Sequence, residues 1–268
     1  MDRRRDVTAV VLFLVLVTAL SAIFDAALIR AGSIWVWDGW AVFLLMWSPG
    51  VAGLLTALVV CRSLKPLGLL GNRKVFGWAA VSILIPALYT VLIDHGLQAL
   101  GIVETSTAQA NLHFITIGFL LSAKGAFGEE LGWRGFASPV FTRLFGFGPG
   151  QVCLGVIWYL YHVPALLFTD YGGSPHVLFG NAMFLVAVVG VSFFLGWARQ
   201  RSDSVWPSTF FHASHNLFFL HVFEPVAQKT ALASWLAGEQ GACLAVVLVL
   251  LGAVALALNR NARAAAWP

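Results

Sequence analysis

Charge is what this sequence has least of. Only 10% of its 268 residues are Asp, Glu, Lys or Arg, 59% are hydrophobic, and the mean hydropathy is +0.84. A soluble domain carries about 25% charged residues, so a water-soluble enzyme is excluded. Cysteine is scarce as well. Cys61, Cys153 and Cys243 show no CxxC spacing and fall in or beside apolar segments, which excludes a disulfide framework and a thiolate metal site and leaves them as packing residues. No internal repeat or low-complexity stretch occurs. HExxH is missing, so the common soluble zinc-protease signature gives no support. GxSxG and GxSG are missing too, which argues against a serine nucleophile.

What is present is a series of long apolar runs. They read as eight spans, at about 7–28, 37–60, 77–93, 113–140, 151–168, 176–198, 205–223 and 241–258. The expected fold is an all-α polytopic membrane bundle of about eight transmembrane helices, forming a single integral membrane domain over 1–268. The start, Met1-Asp2-Arg3-Arg4-Arg5, resembles a signal peptide, but the apolar run behind it is too long and reads as a retained first span.

The net charge of +4 and pI near 9.2 do not indicate nucleic acid, because the basic residues flank the spans. Of the 16 Lys and Arg, twelve fall on one side: Arg3, Arg4, Arg5, Arg62, Lys65, Arg73, Lys74, Arg143, Arg199, Arg201, Arg260 and Arg263. Arg30 and Lys229 fall on the other, and Lys124 and Arg134 lie within the fourth span. By the positive-inside rule the first side is cytoplasmic. Both termini are expected there, with the chain in the cell (plasma) membrane.

Against that apolar background, Gly128-Glu129-Glu130-Leu131-Gly132-Trp133-Arg134-Gly135 stands out. Ionisable residues inside a membrane are expensive, usually paired, and mark function. Glu130 and Arg134 are spaced i,i+4 and pair on a helix, whereas Glu129 points elsewhere and has no charge partner in its own helix. Two further spans carry His162, and His212 with Asn216 one turn later on the same face. Counted from the span ends, all four lie ~10–20 Å below the cytoplasmic face.

A carboxylate and an imidazole in one layer suit water activation, with a second imidazole and an amide to stabilise an oxyanion. Zinc held by Glu129, His162 and His212 is the alternative. His215 and His221 are expected to be structural. Lys124 is expected to pair with Glu130 or snorkel, and Asp94, Asp170 and Glu224 to be solvated charges at span ends. The plain alternative for Glu129, Glu130 and Arg134 together is an ion-pair clamp.

The motif around Glu129, Glu130 and Arg134 resembles the EExxxR of the CAAX-prenyl-protease-type membrane endopeptidases, the CPBP or Abi family. Trp158-Tyr159-Leu160-Tyr161-His162 resembles that family's FxxxH, with Trp158 in place of Phe as an aromatic wall. His212-Ala213-Ser214-His215-Asn216 resembles its HxxxN, preceded by Ser204-Val205-Trp206-Pro207. The likeness covers 125–217, the expected catalytic core. It implies that Glu129 and His162 activate water, that His212 and Asn216 stabilise the oxyanion, and that Glu130 and Arg134 hold the glutamate helix. The expected activity is intramembrane endopeptidase cleavage near the cytoplasmic membrane face, by glutamate/histidine-activated water or with zinc. The partners are the lipid bilayer and a membrane-associated peptide, membrane protein or CAAX-like tail. A non-catalytic immunity or scaffold protein, binding a peptide or partner in the same cavity, is the alternative from another class.

Overall fold

The structure is a computed structural model that describes residues 3–105, 112–222 and 225–265. It is a helical bundle, because a chain that spans lipid must satisfy its backbone internally. Among the described residues, six helices are long and apolar enough to cross a membrane. They are α1 (Arg3–Ala31), α2 (Trp40–Thr56, continued by a π turn, Ala57–Cys61), α3 (Val75–Ala99), α6 (Phe147–Phe168), α7 (Val177–Ser202) and α10 (Ala242–Ala265, of which Ala242–Asn259 qualifies).

The two remaining expected spans are helical paths as well, and they hold the motif residues. One consists of α4 (Leu112–Glu130), a π turn (Leu131–Ala137) and α5 (Ser138–Phe145). The other is α8 (Trp206–His215) followed by a π turn (Asn216–Val222). Their charges and interruptions keep both from counting as plain apolar spans, so six of the eight expected helices meet that measure. A two-stranded antiparallel ladder, β1 (Val103–Thr105) with β2 (Pro225–Gln228), joins two loops at one end, and a one-turn α9 (Ala233–Leu236) follows it.

Several boundaries differ from the sequence expectation for physical reasons. The glycine-rich run after Phe145 is a turn only at Gly146, whose φ of 82° is left-handed. Pro149 sits in the first turn of α6, where a missing N–H leaves no intrahelical bond unmade. Asp94, expected as a solvated charge at a span end, instead lies in the last turns of α3 and is buried. Asp170 does lie in a loop, between α6 and α7. Its carboxylate accepts the Ser33 hydroxyl at 2.7 Å and the Ile34 N–H at 2.8 Å, which together hold it below the usual carboxylate range and pin the α1–α2 loop. Glu224 falls outside the described residues. All three cysteines are free.

The bundle is built around a backbone-to-backbone crossing of α2 with α4 and the π turn that continues it. A Cβ on Gly132 would lie 2.2 Å from the Pro49 carbonyl oxygen, and one on Gly50 would lie 2.5 Å from the Gly128 carbonyl oxygen. Small residues permit such close approach where lipid supplies no hydrophobic drive between helices. This crossing fixes the height and rotation of α4, and with them the direction of Glu129. α4 also packs on α8, where the Phe127 and Trp206 rings stack 4.9 Å apart. α6 and α10 both pack on α7.

Gly132→Ala is expected to lose more than about 2 kcal/mol, since overpacking against backbone has no side chain to yield. Gly77→Ala in α3, with no atom within 4 Å of the new methyl, should leave stability unchanged or slightly raised. Thermal unfolding in detergent compares the two.

Candidate active site

α4 delivers Glu129 and Glu130 as neighbours, about 100° apart around the helix. They play separate roles. Glu130 is fully buried, and its Oε1 accepts from Arg134 Nη1 at 3.0 Å and from His212 Nδ1 at 3.1 Å. Arg134 is also fully buried. Its Nη2 donates to Ser192 Oγ at 3.2 Å on α7, and its guanidinium lies 3.8 Å from the centroid of the Trp158 ring on α6. One ion pair thus joins α4, its π turn, α6, α7 and α8. Lys124 is exposed and takes no part in it.

Glu129 turns the other way, into a cavity of about 280 Å³. Its Oε2 accepts the Trp158 indole N–H at 2.9 Å. His162, His212, Asn216 and Trp158 line the same cavity. The four residues expected from sequence to share a layer therefore share a wall, and Glu130 and Arg134 lie behind it.

The hydrogen bonds assign the imidazole tautomers. His162 Nδ1 lies 2.8 Å from the Trp158 carbonyl oxygen. A carbonyl only accepts, so Nδ1 carries the proton and the neutral ring keeps its lone pair on Nε2. His212 Nδ1 meets the Glu130 carboxylate in the same sense and donates to it. Among the described residues the Asn216 amide has no hydrogen-bond partner.

Trp158 does more than the aromatic wall expected of it. Its ring face carries the Arg134 cation, its indole N–H fixes Glu129, and its carbonyl fixes His162. The Trp-for-Phe departure was the available signal, because only Trp brings a donor. Ser192 gave no signal in the sequence. His215 and Glu239 form a second polar group on the cavity wall, with His215 Nε2 3.0 Å from Glu239 Oε1, Tyr89 hydroxyl on His215 Nδ1, and Tyr171 hydroxyl donating to Glu239 Oε2 at 2.8 Å. His221 also lines the cavity and is exposed.

The expected zinc ligands Glu129, His162 and His212 all line this cavity. Among the described residues no three His, Cys, Asp or Glu side chains gather closely enough to hold a metal ion. Glu129 Oε2 is engaged by the indole instead.

His162 stands six residues, ~9 Å, from the far end of α6, and His212 six residues from the start of α8 on the basic side. Tyr171 and Glu239 on the cavity wall belong to loops at the end opposite the basic ones.

A polytopic helical bundle with a carboxylate, two imidazoles and an amide around one cavity defines the class, a membrane protein with a hydrolase-like centre. Residues 111–218 match the family model described as type II CAAX prenyl endopeptidase Rce1-like. That stretch contains every motif residue named above, and it shows the likeness to the CAAX-prenyl-protease-type family. The match supports a CAAX-type intramembrane protease. No curated protein matches the chain.

Removing one member of a buried ion pair leaves the other charge uncompensated, at a cost of about 3–5 kcal/mol. Arg134→Met should therefore unfold well below wild type in detergent, and Arg134→Met with Glu130→Gln should recover part of the loss. Equal losses in the single and double variants would show that the pair is not what holds these helices.

Proposed function

We propose that this protein is an intramembrane endopeptidase that cleaves a membrane-associated peptide by glutamate-activated water. The observation that carries the reading is the placement of Glu129 on the cavity wall with His162, His212 and Asn216, the imidazoles presenting Nε2. The Glu129 carboxylate takes a proton from water as the water oxygen attacks the scissile carbonyl carbon. His162 Nε2, neutral and unprotonated, accepts a hydrogen bond from that water and orients it.

The tetrahedral oxyanion then accepts the Asn216 amide N–H, and the His212 Nε2–H when that ring carries both protons. Glu129 returns its proton to the peptide nitrogen as the C–N bond breaks, leaving a carboxylic acid and an amine, between which the remaining acid proton passes to give carboxylate and ammonium. Glu130 and Arg134 touch no reacting atom. They position His212 and the helix that carries Glu129. The membrane is assigned as the cell membrane with the basic loops cytoplasmic, on the strength of the charge bias.

Purified protein presented with a library of membrane peptides tests this. General acid–base catalysis contributes about 10²–10⁴-fold, so Glu129→Gln should lower kcat/KM at least that far. Asn216→Ala should cost about 10²–10³-fold in kcat, as loss of an oxyanion donor does. Trp158→Phe keeps the ring under Arg134 but loses a hydrogen bond to a charged group, about 1.5–3 kcal/mol, and should fall between wild type and Glu129→Gln. A chelator should leave the wild-type rate unchanged, whereas a loss restored by zinc would move the chemistry to a metal. Binding of a peptide that is never cleaved, and is indifferent to Glu129→Gln, would leave a peptide-binding protein.

A further inference from the structure

The two ends of the bundle differ. At one end lie the loop 62–74, Gly146 and the turn 203–205, and with them nearly all the basic residues. This end is shut below the site. Leu67 is fully buried, Arg199 Nη2 donates to the Pro66 carbonyl at 3.0 Å, and Val205 N–H donates to the Gly68 carbonyl at 3.0 Å. Asn72 N–H donates to the Ser202 carbonyl at 2.8 Å, so the 62–74 loop is tied across the α7–α8 turn. Trp133, Arg134 and Glu130 fill the layer above it.

At the other end the cavity reaches the surface. Its wall includes Ile34 and Trp35 from the α1–α2 loop, Tyr171 from the α6–α7 loop and Glu239 from the turn before α10. Trp35 is 69% exposed, and the exposed His221 is also on the lining. The hydrogen-bonded group of Tyr171, Glu239 and His215 gives this mouth a polar flank suited to a peptide backbone, and Met46, Phe184 and Leu248 give it an apolar one.

We infer that the site is loaded from the side opposite the basic loops, the extracytoplasmic side, by a membrane-anchored peptide whose cleaved segment stands outside the cytoplasm. A prenylated tail is made and displayed in the cytoplasm and would meet the closed end. The access route stands on the cavity and the charge bias. The substrate class rests in addition on the hydrolytic reading above.

Sealed right-side-out vesicles holding the full-length protein, with Cys61, Cys153 and Cys243 replaced by serine, separate the two. Single cysteines are placed at the mouth (Trp35→Cys), on the cavity wall (Ala165→Cys) and in the basic loop (Lys65→Cys). A small sulfonated methanethiosulfonate, which does not cross membranes, is added outside. Trp35→Cys and Ala165→Cys should react to the same extent before and after permeabilisation, and Lys65→Cys only after it. Ala165→Cys reacting only after permeabilisation, or not at all, overturns the inference, as does Lys65→Cys reacting from outside.

In a second arm, water-soluble peptides from an active library should be cleaved when added outside sealed vesicles, and not when sealed inside-out vesicles are used. Cleavage confined to inside-out vesicles overturns the inference. Absence of cleavage even in detergent removes the hydrolytic reading alone and leaves the labelling result to decide access.

Discussion

Everything near the cavity depends on one charge that has no route to water. The Arg134 guanidinium is fully buried in an apolar bundle, and its neutralisation falls to Glu130. A buried ion needs its remaining valences filled as well. Ser192 takes one N–H and the Trp158 ring takes the face of the guanidinium. Glu130 in turn shares its oxygen with His212. Pairing a single arginine therefore brings four helices together, and two of the residues so joined, Trp158 and His212, line the polar cavity. The ion-pair clamp and the reactive wall are two sides of one arrangement.

Much of this was legible in the sequence because membrane proteins carry so few charges that each one is informative. The i,i+4 spacing of Glu130 and Arg134 gave the pair, and the shared face of His212 and Asn216 gave their common wall. Composition could not give depth. Proline and glycine near Gly146 read as a longer loop than the chain makes, because Pro149 is tolerated in a first helical turn. That displaced the start of α6 by about a turn. The polar tail of α3 misled in the same way, because a buried Asp94 is indistinguishable by type from a solvated one.

The tertiary partners were the least legible. Ser192 lies in an unremarkable apolar run, and nothing local says that its hydroxyl meets an arginine from another helix. Gly128, Gly132, Gly50 and Gly53 are similar. Each is an ordinary small residue until α2 and α4 are brought together, and only then does the missing Cβ become a requirement. Trp158 is the instructive intermediate case. Its departure from a Phe pattern was visible, and a donor in an otherwise apolar span has to find an acceptor, but the acceptor became known only with the fold.

The π turn over Leu131–Ala137 has a consequence for helical phase. A π turn holds more residues than an α turn, so the segment beyond it is rotated relative to an uninterrupted helix. α5, which follows it, packs on α6 and contacts α1. The turn thus sets the phase between the two pieces it joins. One piece carries the carboxylates, and the other closes the bundle around them.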